Sequence, residues 1–196
     1  MNYGVGNLRS IRKGLEKSGA QVQITHNPTD LRSADAIVLP GVGAFAPAVK
    51  NMAHIADVVA EAMENGKPIL GVCLGLQLLF TRSSEGGSIK GLDFISGDVV
   101  KLPDSVKIPQ MGWNTIDFAR SHPLLDGIKN HSYVYFVHSY YPQPTDPDVI
   151  VTTSEYGVRF PSMVAKKNLF ATQFHPEKSS KTGLTMLKNF VRIIKR

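Results

Sequence analysis

The sequence predicts an α/β protein with a single open, mostly parallel sheet flanked by helices and continued by an antiparallel extension. As far as Gly91, apolar strand patterns alternate with amphipathic helix patterns, and after Gly91 strand patterns are joined by short turns. The chain has 196 residues. Alternating strands and helices favour a parallel sheet covered by helices. A chain of this length can bury the core of one domain. We therefore expect a single domain over residues 1–196.

The N-terminal half supplies the alternating elements. Apolar residues recur at helical or strand spacing, and glycines end the helices. The predicted elements are a helix from about Asn7 to Ser18 that stops at Gly19, a strand QVQIT (21–25), a strand in ADAIVLPGVG (34–43), a helix that begins near Ile55 and stops at Gly66, and a strand from Ile69 to Val72.

The C-terminal half supplies the antiparallel extension and a last helix. Short strands separated by turn residues favour antiparallel pairing. The predicted strands lie in 94–102, 113–118, 133–141, 149–154, 162–167 and 169–174. In the last helix Leu184, Leu187, Val191 and Ile194 share one face, and Ser179 or Ser180 is expected as its N-cap.

Composition limits the classes of function. The chain has one cysteine and a formal net charge of +6 that is spread along its length. No apolar run approaches the roughly 20 residues that span a bilayer, and the N-terminus lacks the apolar core of a signal peptide. One cysteine cannot form an internal disulfide. We expect a cytoplasmic protein that binds neither membrane nor nucleic acid and needs no metal or other cofactor.

Cys73 lies between Gly71 and Gly75 in GVCLG, where a buried strand meets an apolar helix. This pattern is typical of a nucleophile elbow, the sharp strand-to-helix turn that presents a reactive side chain. Helix amides facing the sulfur would favour the thiolate, and the amide of Leu74 would face a developing oxyanion. The alternative is a buried packing residue, because free cysteine is among the most buried residue types.

His175 and Glu177 stand two residues apart at the end of an apolar strand, in QFHPEKSS. In extended backbone such residues point the same way, so the carboxylate can orient the imidazole while the other ring nitrogen takes the thiol proton. The alternatives are a surface histidine at a turn and an acidic residue in the first turn of a helix.

The turn LPGVGAF (39–45) also follows a strand. Its two glycines flank Val42 and can free backbone amides, including that of Gly43, to form part of an oxyanion hole. The alternative is a strand-to-helix turn that carries glycine for geometry alone. A phosphate site is disfavoured because neither G-x-G-x-x-G nor a P-loop lysine is present.

In this order and at these separations, PGVG, GVCLGLQLLF and FHPEKSS resemble the triad (class I) glutamine amidotransferase family. The likeness covers nearly the whole chain, although Leu76 stands where many relatives have His. The resemblance implies a flavodoxin-like core and a glutaminase. Cys73 would attack the side-chain amide of glutamine, His175 would protonate the leaving ammonia and Glu177 would orient His175.

The resemblance also implies residues around the triad. The oxyanion would be bound by the amides of Leu74, Val42 and Gly43. The glutamine substrate would be held by Gln77, Glu85, His138, Ser139 and Tyr140. On composition alone, Glu85 is equally an exposed loop charge, and the strand with His138 is equally a half-buried aromatic strand.

PQMGWN, YFVHSY and HPEKSS are most similar to family members that pass ammonia to a (β/α)₈ synthase. Such a barrel needs roughly 250 residues, so the partner would be a separate subunit of a heterodimer. The expected interface residues are Met111, Trp113, Tyr135 and Lys178. A core tryptophan is the alternative for Trp113.

The N-terminus departs from the family pattern. Relatives usually begin with an apolar strand that runs into an acidic residue, whereas this chain starts MNYGVGN, with Asn2 at the acidic position. We expect the N-terminal strand to be missing and the protein to be less stable than its relatives, because neighbouring strands would lack partners.

Two other functions fit the same residues. One is a cysteine hydrolase or an amidotransferase with another acceptor. The other is a non-catalytic binding module in which Cys73 has a packing or redox role.

Overall fold

The structure is a computed structural model that describes residues 1, 2, 4 and 8–195. The α-helices are α1 (Leu8–Lys17), α2 (Pro28–Ser33), α3 (Phe45–Met52), α4 (Ala56–Glu64), α5 (Leu74–Leu78) and α6 (Ser180–Ile194). The strands are β1 (Ile37–Gly41), β2 (Ile69–Cys73), β3 (Phe80–Ser83), β4 (Ile89–Lys90), β5 (Ile95–Lys101), β6 (Gln110–Thr115), β7 (Asp117–Phe118), β8 (Tyr133–His138), β9 (Tyr140–Pro144), β10 (Ile150–Glu155), β11 (Arg159–Lys166) and β12 (Leu169–Thr172).

The central sheet is open and has the strand order β1-β2-β12-β11-β10-β7. The first three strands are parallel and the last three continue in antiparallel pairs. The predicted α/β architecture with an antiparallel extension is therefore confirmed. Because Gly41 pairs with Cys73 and Thr172 pairs with Val72, the carboxyl ends of the three parallel strands meet at one edge. Ligand sites of open α/β sheets lie at such edges.

Two smaller sheets flank this edge. One has the order β4-β3-β5-β9, and the other is the antiparallel pair β6-β8. A backbone hydrogen bond from His175 N to Tyr135 O, 2.9 Å long, joins β8 to the turn after β12. The pair β6-β8 therefore lies beside the carboxyl end of β12.

Both faces of the parallel strands are buried, which explains their continuous apolar runs. In β2, Ile69 packs into one core with α3 and α4, whereas its neighbour Leu70 packs into a second core with α1 and α6. Leu169 and Phe170 of β12 divide in the same way. The alternation follows from the two-residue period of a strand.

Several predicted elements need correction. No strand forms over 21–25. Among the described residues, the main-chain hydrogen bond between this segment and another part of the chain runs from Asn2 N to Thr25 O. A single hydrogen bond does not make a strand pair. Among the described residues no strand precedes α1, and Asn7, the predicted start of that helix, lies outside them. Ser179 is the N-cap of α6, but its hydroxyl donates to His175 O instead of capping the helix.

Helices α2 and α3 were not predicted, because PTDLRS is short and polar and FAPAVKNM follows a glycine turn.

Within the described part of the chain, no helix combines the length and the apolar character needed to cross a membrane.

Candidate active site

Cys73 ends β2 and immediately precedes α5, between the ends of β1 and β12. Its backbone has φ 53° and ψ −106°, a conformation that non-glycine residues rarely adopt. Such backbone persists only where the surrounding fold enforces it, and it is concentrated at functional sites. The turn is therefore the elbow that the GVCLG pattern predicts. Helix α5 has only five residues, so its dipole acts over little more than one turn.

The two glycines of the elbow are required by close backbone contacts. A Cβ on Gly75 would overlap the carbonyl oxygen of Leu39 in β1. A Cβ on Gly71 would come within 2.9 Å of the carbonyl oxygen of Gly75. Because main-chain atoms cannot rotate out of the way, both positions need glycine.

Cys73 is 6% exposed and packs within the second core, but its sulfur also makes polar contacts. The thiol donates to Val137 O in β8, and Gln173 Nε2 donates to the sulfur, each at 3.6 Å. An inert packing cysteine would have apolar neighbours only. The packing alternative for Cys73 therefore fits this structure poorly.

His175 and Glu177 form a buried pair at the turn that follows β12. Nδ1 of His175 lies 2.8 Å from Oε1 of Glu177, and both side chains are almost fully buried. With Nδ1 bound to a carboxylate, the imidazole is fixed in orientation and Nε2 is left for chemistry. Nε2 makes no hydrogen bond of ordinary geometry within the described residues, and neither does Oε2 of Glu177.

Charge on the imidazole is favoured by its neighbours. Burial alone lowers the pKa of His175, but its interactions with Cys73 and Glu177 outweigh burial and raise the pKa from 6.5 to about 9. Because Nδ1 is hydrogen-bonded to Glu177, Nε2 is the ring nitrogen left to interact with Cys73. The structure therefore brings the three predicted triad residues together.

The predicted oxyanion loop follows β1, next to the nucleophile. Gly43 has φ 123°, which glycine adopts without strain, and Val42 is partly exposed. Glu85 accepts a hydrogen bond from Phe45 N, 3.1 Å away, at the first residue of α3. Glu85 is therefore partly buried and holds the far end of this loop, so the alternative of a free surface charge does not describe it.

The other predicted substrate residues line the wall between α5 and β8. Gln77 Nε2 donates to Tyr140 O at 2.9 Å. His138 is buried, its Nδ1 lies 2.9 Å from the same carbonyl oxygen, and burial lowers its pKa to about 4. Ser139 is half-buried between β8 and β9.

The predicted interface residues form one cluster on the β6-β8 pair and the turn after β12. Trp113 is 53% exposed and Met111 is 65% exposed, so the alternative of a core tryptophan is wrong. The rings of Trp113 and Tyr135 pack in a T-shaped arrangement with their centroids 5.9 Å apart, and Lys178 Nζ lies 5.8 Å from the Tyr135 ring centroid.

Sequence reasoning missed one buried residue beside the triad and one exposed residue beside the predicted interface cluster. Gln173 is fully buried beside Cys73, and Tyr133 is 62% exposed on β8, two residues before Tyr135. The strand period gives the only available signal: Gln173 is a polar residue at the end of a buried strand, and Tyr133 shares a strand face with Tyr135.

A comparison with protein families assigns the chain to one class. The family described as "Glutamine amidotransferase class-I" matches residues 1–194, so the chain belongs to this family.

Relatives give a narrower likeness. The chain is 51% identical to "Imidazole glycerol phosphate synthase subunit HisH" of Archaeoglobus fulgidus, over 100% of this chain and 98% of the relative. It is 48% identical to the protein of the same name from Methanocaldococcus jannaschii, over 99% of this chain and 98% of the relative.

Solved structures show the same fold at low identity. "Crystal structure of glutamine amidotransferase" aligns with a TM-score of 0.77 and 17% identity, over 98% of this chain and 96% of that one. "Structure of PurLQS from Thermotoga maritima" aligns with a TM-score of 0.75 and 19% identity, over 98% and 95% of the two chains.

Proposed function

We propose that this chain is the glutaminase subunit of an imidazole glycerol phosphate synthase and acts as a single domain in the cytoplasm. It hydrolyses glutamine to glutamate and ammonia. The ammonia passes to a separate (β/α)₈ subunit, which makes imidazole glycerol phosphate and aminoimidazole carboxamide ribotide in histidine biosynthesis. The observation that carries the proposal is the electrostatic interaction of Cys73 with a buried His175–Glu177 pair, in a chain 51% identical to a relative with that subunit name.

The raised pKa of His175 sets the protonation state from which the reaction starts. At neutral pH the imidazole carries its proton, and in this proposal Cys73 reacts as the thiolate. The sulfur attacks the amide carbon of glutamine, and the carbonyl oxygen becomes an oxyanion. His175 then gives its proton to the amide nitrogen, the carbon–nitrogen bond breaks, and ammonia leaves a thioester on Cys73.

Water completes the cycle. Neutral His175 takes a proton from water as the water oxygen attacks the thioester. The carbon–sulfur bond breaks, glutamate leaves, and the thiolate–imidazolium pair is restored. Throughout, Glu177 holds the imidazole through Nδ1.

Backbone amides supply the oxyanion site in this proposal. The donors are the amide of Leu74, the first residue of α5, and the amides of Val42 and Gly43 in the loop after β1. Removing one such donor in other enzymes costs roughly 3 kcal/mol. In this proposal Gln77 and Glu85 hold the amino-acid end of glutamine, and His138, Ser139 and Tyr140 belong to the strand that lines the same pocket.

Ammonia leaves toward the partner on the side of β6 and β8. Met111, Trp113, Tyr135 and Lys178 form the docking surface, in which exposed apolar side chains suit a heterodimer interface. The barrel and this chain together form the lyase complex, with an ammonia channel between them.

A coupled assay tests the proposal. The chain is mixed with the (β/α)₈ subunit of the same source and the ribonucleotide ligand of that subunit, and glutamate release is measured. We expect hydrolysis that rises when partner and ligand are both added. A glutamine-analogue chloroketone should modify Cys73 in the wild type but not in His175→Ala. A hydrolysis rate that does not change when partner and ligand are added would exclude a role in imidazole glycerol phosphate synthesis. Absence of labelling at Cys73 would favour a non-catalytic module.

A further inference from the structure

A buried amide outside the predicted site residues contacts the nucleophile. Gln173 is 0% exposed and lies between the end of β12 and His175. Its Nε2 donates to Cys73 Sγ at 3.6 Å. Burial of an amide costs free energy unless its groups find hydrogen bonds, so such residues are kept where their bonds matter.

A main-chain carbonyl fixes which end of this amide faces the sulfur. Tyr140 O can only accept, so Gln77 must turn its NH₂ group toward it. The other N–H of the same group donates to Gln173 Oε1 at 3.2 Å. With its oxygen facing Gln77, Gln173 has its NH₂ group directed at Cys73. His138 Nδ1 occupies the second acceptor position of Tyr140 O.

An amide NH₂ group donates and cannot accept. The sulfur of a neutral thiol accepts only weakly, whereas a thiolate accepts strongly, so the same N–H binds the thiolate more tightly and favours that form. The bond from the thiol to Val137 O is different, because it disappears when the proton leaves.

We propose that Gln173 is a further catalytic residue, the hydrogen-bond donor that favours the thiolate of Cys73. Gln77 is its positioning residue, which holds the amide of Gln173 in the productive orientation. This deepens the proposed function and rests on it for the reaction. Its test depends only on ionisation of the sulfur.

The pH dependence of Cys73 alkylation by iodoacetamide measures that ionisation. In Gln173→Leu the midpoint should move up by about one pH unit, since a hydrogen bond to a charged group stabilises it by about 1.5 kcal/mol or more. Gln173→Glu, nearly equal in shape, should move it at least as far, because a carboxylate repels the thiolate. Gln77→Leu should move it in the same direction by less.

The matched control is Gln143→Leu, which removes the same side chain from an exposed position on β9. Its alkylation profile should follow that of the wild type. A residue with a purely structural role would leave the midpoint unchanged in folded variants, so an unchanged midpoint in Gln173→Leu or Gln173→Glu overturns the inference.

A measurement on the wild type covers the case in which both variants fail to fold. The side-chain ¹⁵N signal of Gln173 should shift with the same midpoint as alkylation, and Cys73→Ala should abolish that shift. A signal that ignores pH overturns the inference. If the midpoints move as expected but no glutamine is hydrolysed with partner and ligand present, the proposed function fails and the role of Gln173 stands.

Discussion

At the scale of single residues, the site depends on two opposing influences on one imidazole. Burial disfavours the charge on His175, whereas Cys73 and Glu177 favour it, and the balance leaves the pKa at about 9. His138 is also buried but has no carboxylate partner, and burial lowers its pKa to about 4. The two histidines therefore differ in charge at neutral pH, and only His175 can deliver a proton.

The contribution of Cys73 can be measured directly. In Cys73→Ala the imidazolium loses one of its two stabilising neighbours, so the pKa of His175 should fall clearly below 9. Titration of the ring by NMR would show this. The pKa of His122, which burial lowers to about 4, should stay the same in both proteins and serves as the control. An unchanged value for His175 would mean that the sulfur and the ring do not interact.

Glu177 should matter for rate more than for folding. In Glu177→Gln the amide can present its nitrogen to Nδ1 and stabilise the wrong tautomer, and the charge that favours the imidazolium is lost. Glutaminase kcat in the complex should fall by about 10²–10⁴-fold, the range of general acid–base effects. Glu64→Gln, at the exposed end of α4, is the control and should retain full activity. A loss under tenfold would rule out an orienting role.

At the scale of elements, the elbow depends on contact between β1 and α5. In Gly75→Ala the new methyl group meets the carbonyl of Leu39, and separating β1 from α5 would move Cys73 away from His175. We expect a loss of several kcal/mol in the free energy of unfolding, about 2–5, together with loss of alkylation by the chloroketone.

Gly14→Ala provides the comparison. This glycine lies in α1, and its new methyl group would come within 2.8 Å of the flexible end of Leu187 and into ordinary contact with Glu177 Cβ at 3.6 Å. Alanine also favours helix by about 1 kcal/mol over glycine, so Gly14→Ala should change stability by less than about 1 kcal/mol. Equal losses in chemical denaturation of the two variants would contradict the assigned role of Gly75.

The elements with the strongest local signals were the ones that the sequence predicted. GVCLG gives a strong local signal because its two glycines flank the cysteine of a strand-to-helix turn. The contact that requires Gly71 is local, whereas the contact that requires Gly75 is with Leu39 in β1. The QVQIT pattern failed, since a strand needs a neighbour and nothing local reveals whether one is present. Gln173 was missed for a related reason: its partner Gln77 lies 96 residues away, and only the β2–β12 pairing brings them together.

At the scale of the whole molecule, one exposed apolar surface is available for a partner. Trp113→Ala should weaken binding of the proposed (β/α)₈ subunit by roughly 30-fold, since interface hot spots are worth about 2 kcal/mol or more. Titration calorimetry would measure the Kd. Ile24→Ala, which removes an exposed apolar side chain elsewhere, should bind like the wild type. Equal affinity of the two variants would place the interface on another face.

A second whole-molecule feature is a groove of about 1080 Å³ between β1 and the irregular segment 20–25. None of the triad residues lines it. The α-amino group of Met1 lies in it and donates to Val38 O, and burial lowers the pKa of this group to about 6. As the pH falls from about 8 to about 6, the unfolded chain binds this proton more readily than the folded chain, so stability falls across this window and the full penalty applies below it.

An added N-terminal strand should raise stability. Four to six alternating apolar residues placed before Met1 would remove the buried charge, pair with β1 and cover apolar residues that line the groove, such as Val22 and Ile24. Each kcal/mol gained should raise Tm by about 2–4 °C in a chain of this size. A glycine-serine extension of equal length is the control, because it removes the charge but buries no apolar side chain. Equal melting temperatures for the two extensions would show that the groove does not accept a strand, and the expected deficit in stability would then have no structural basis.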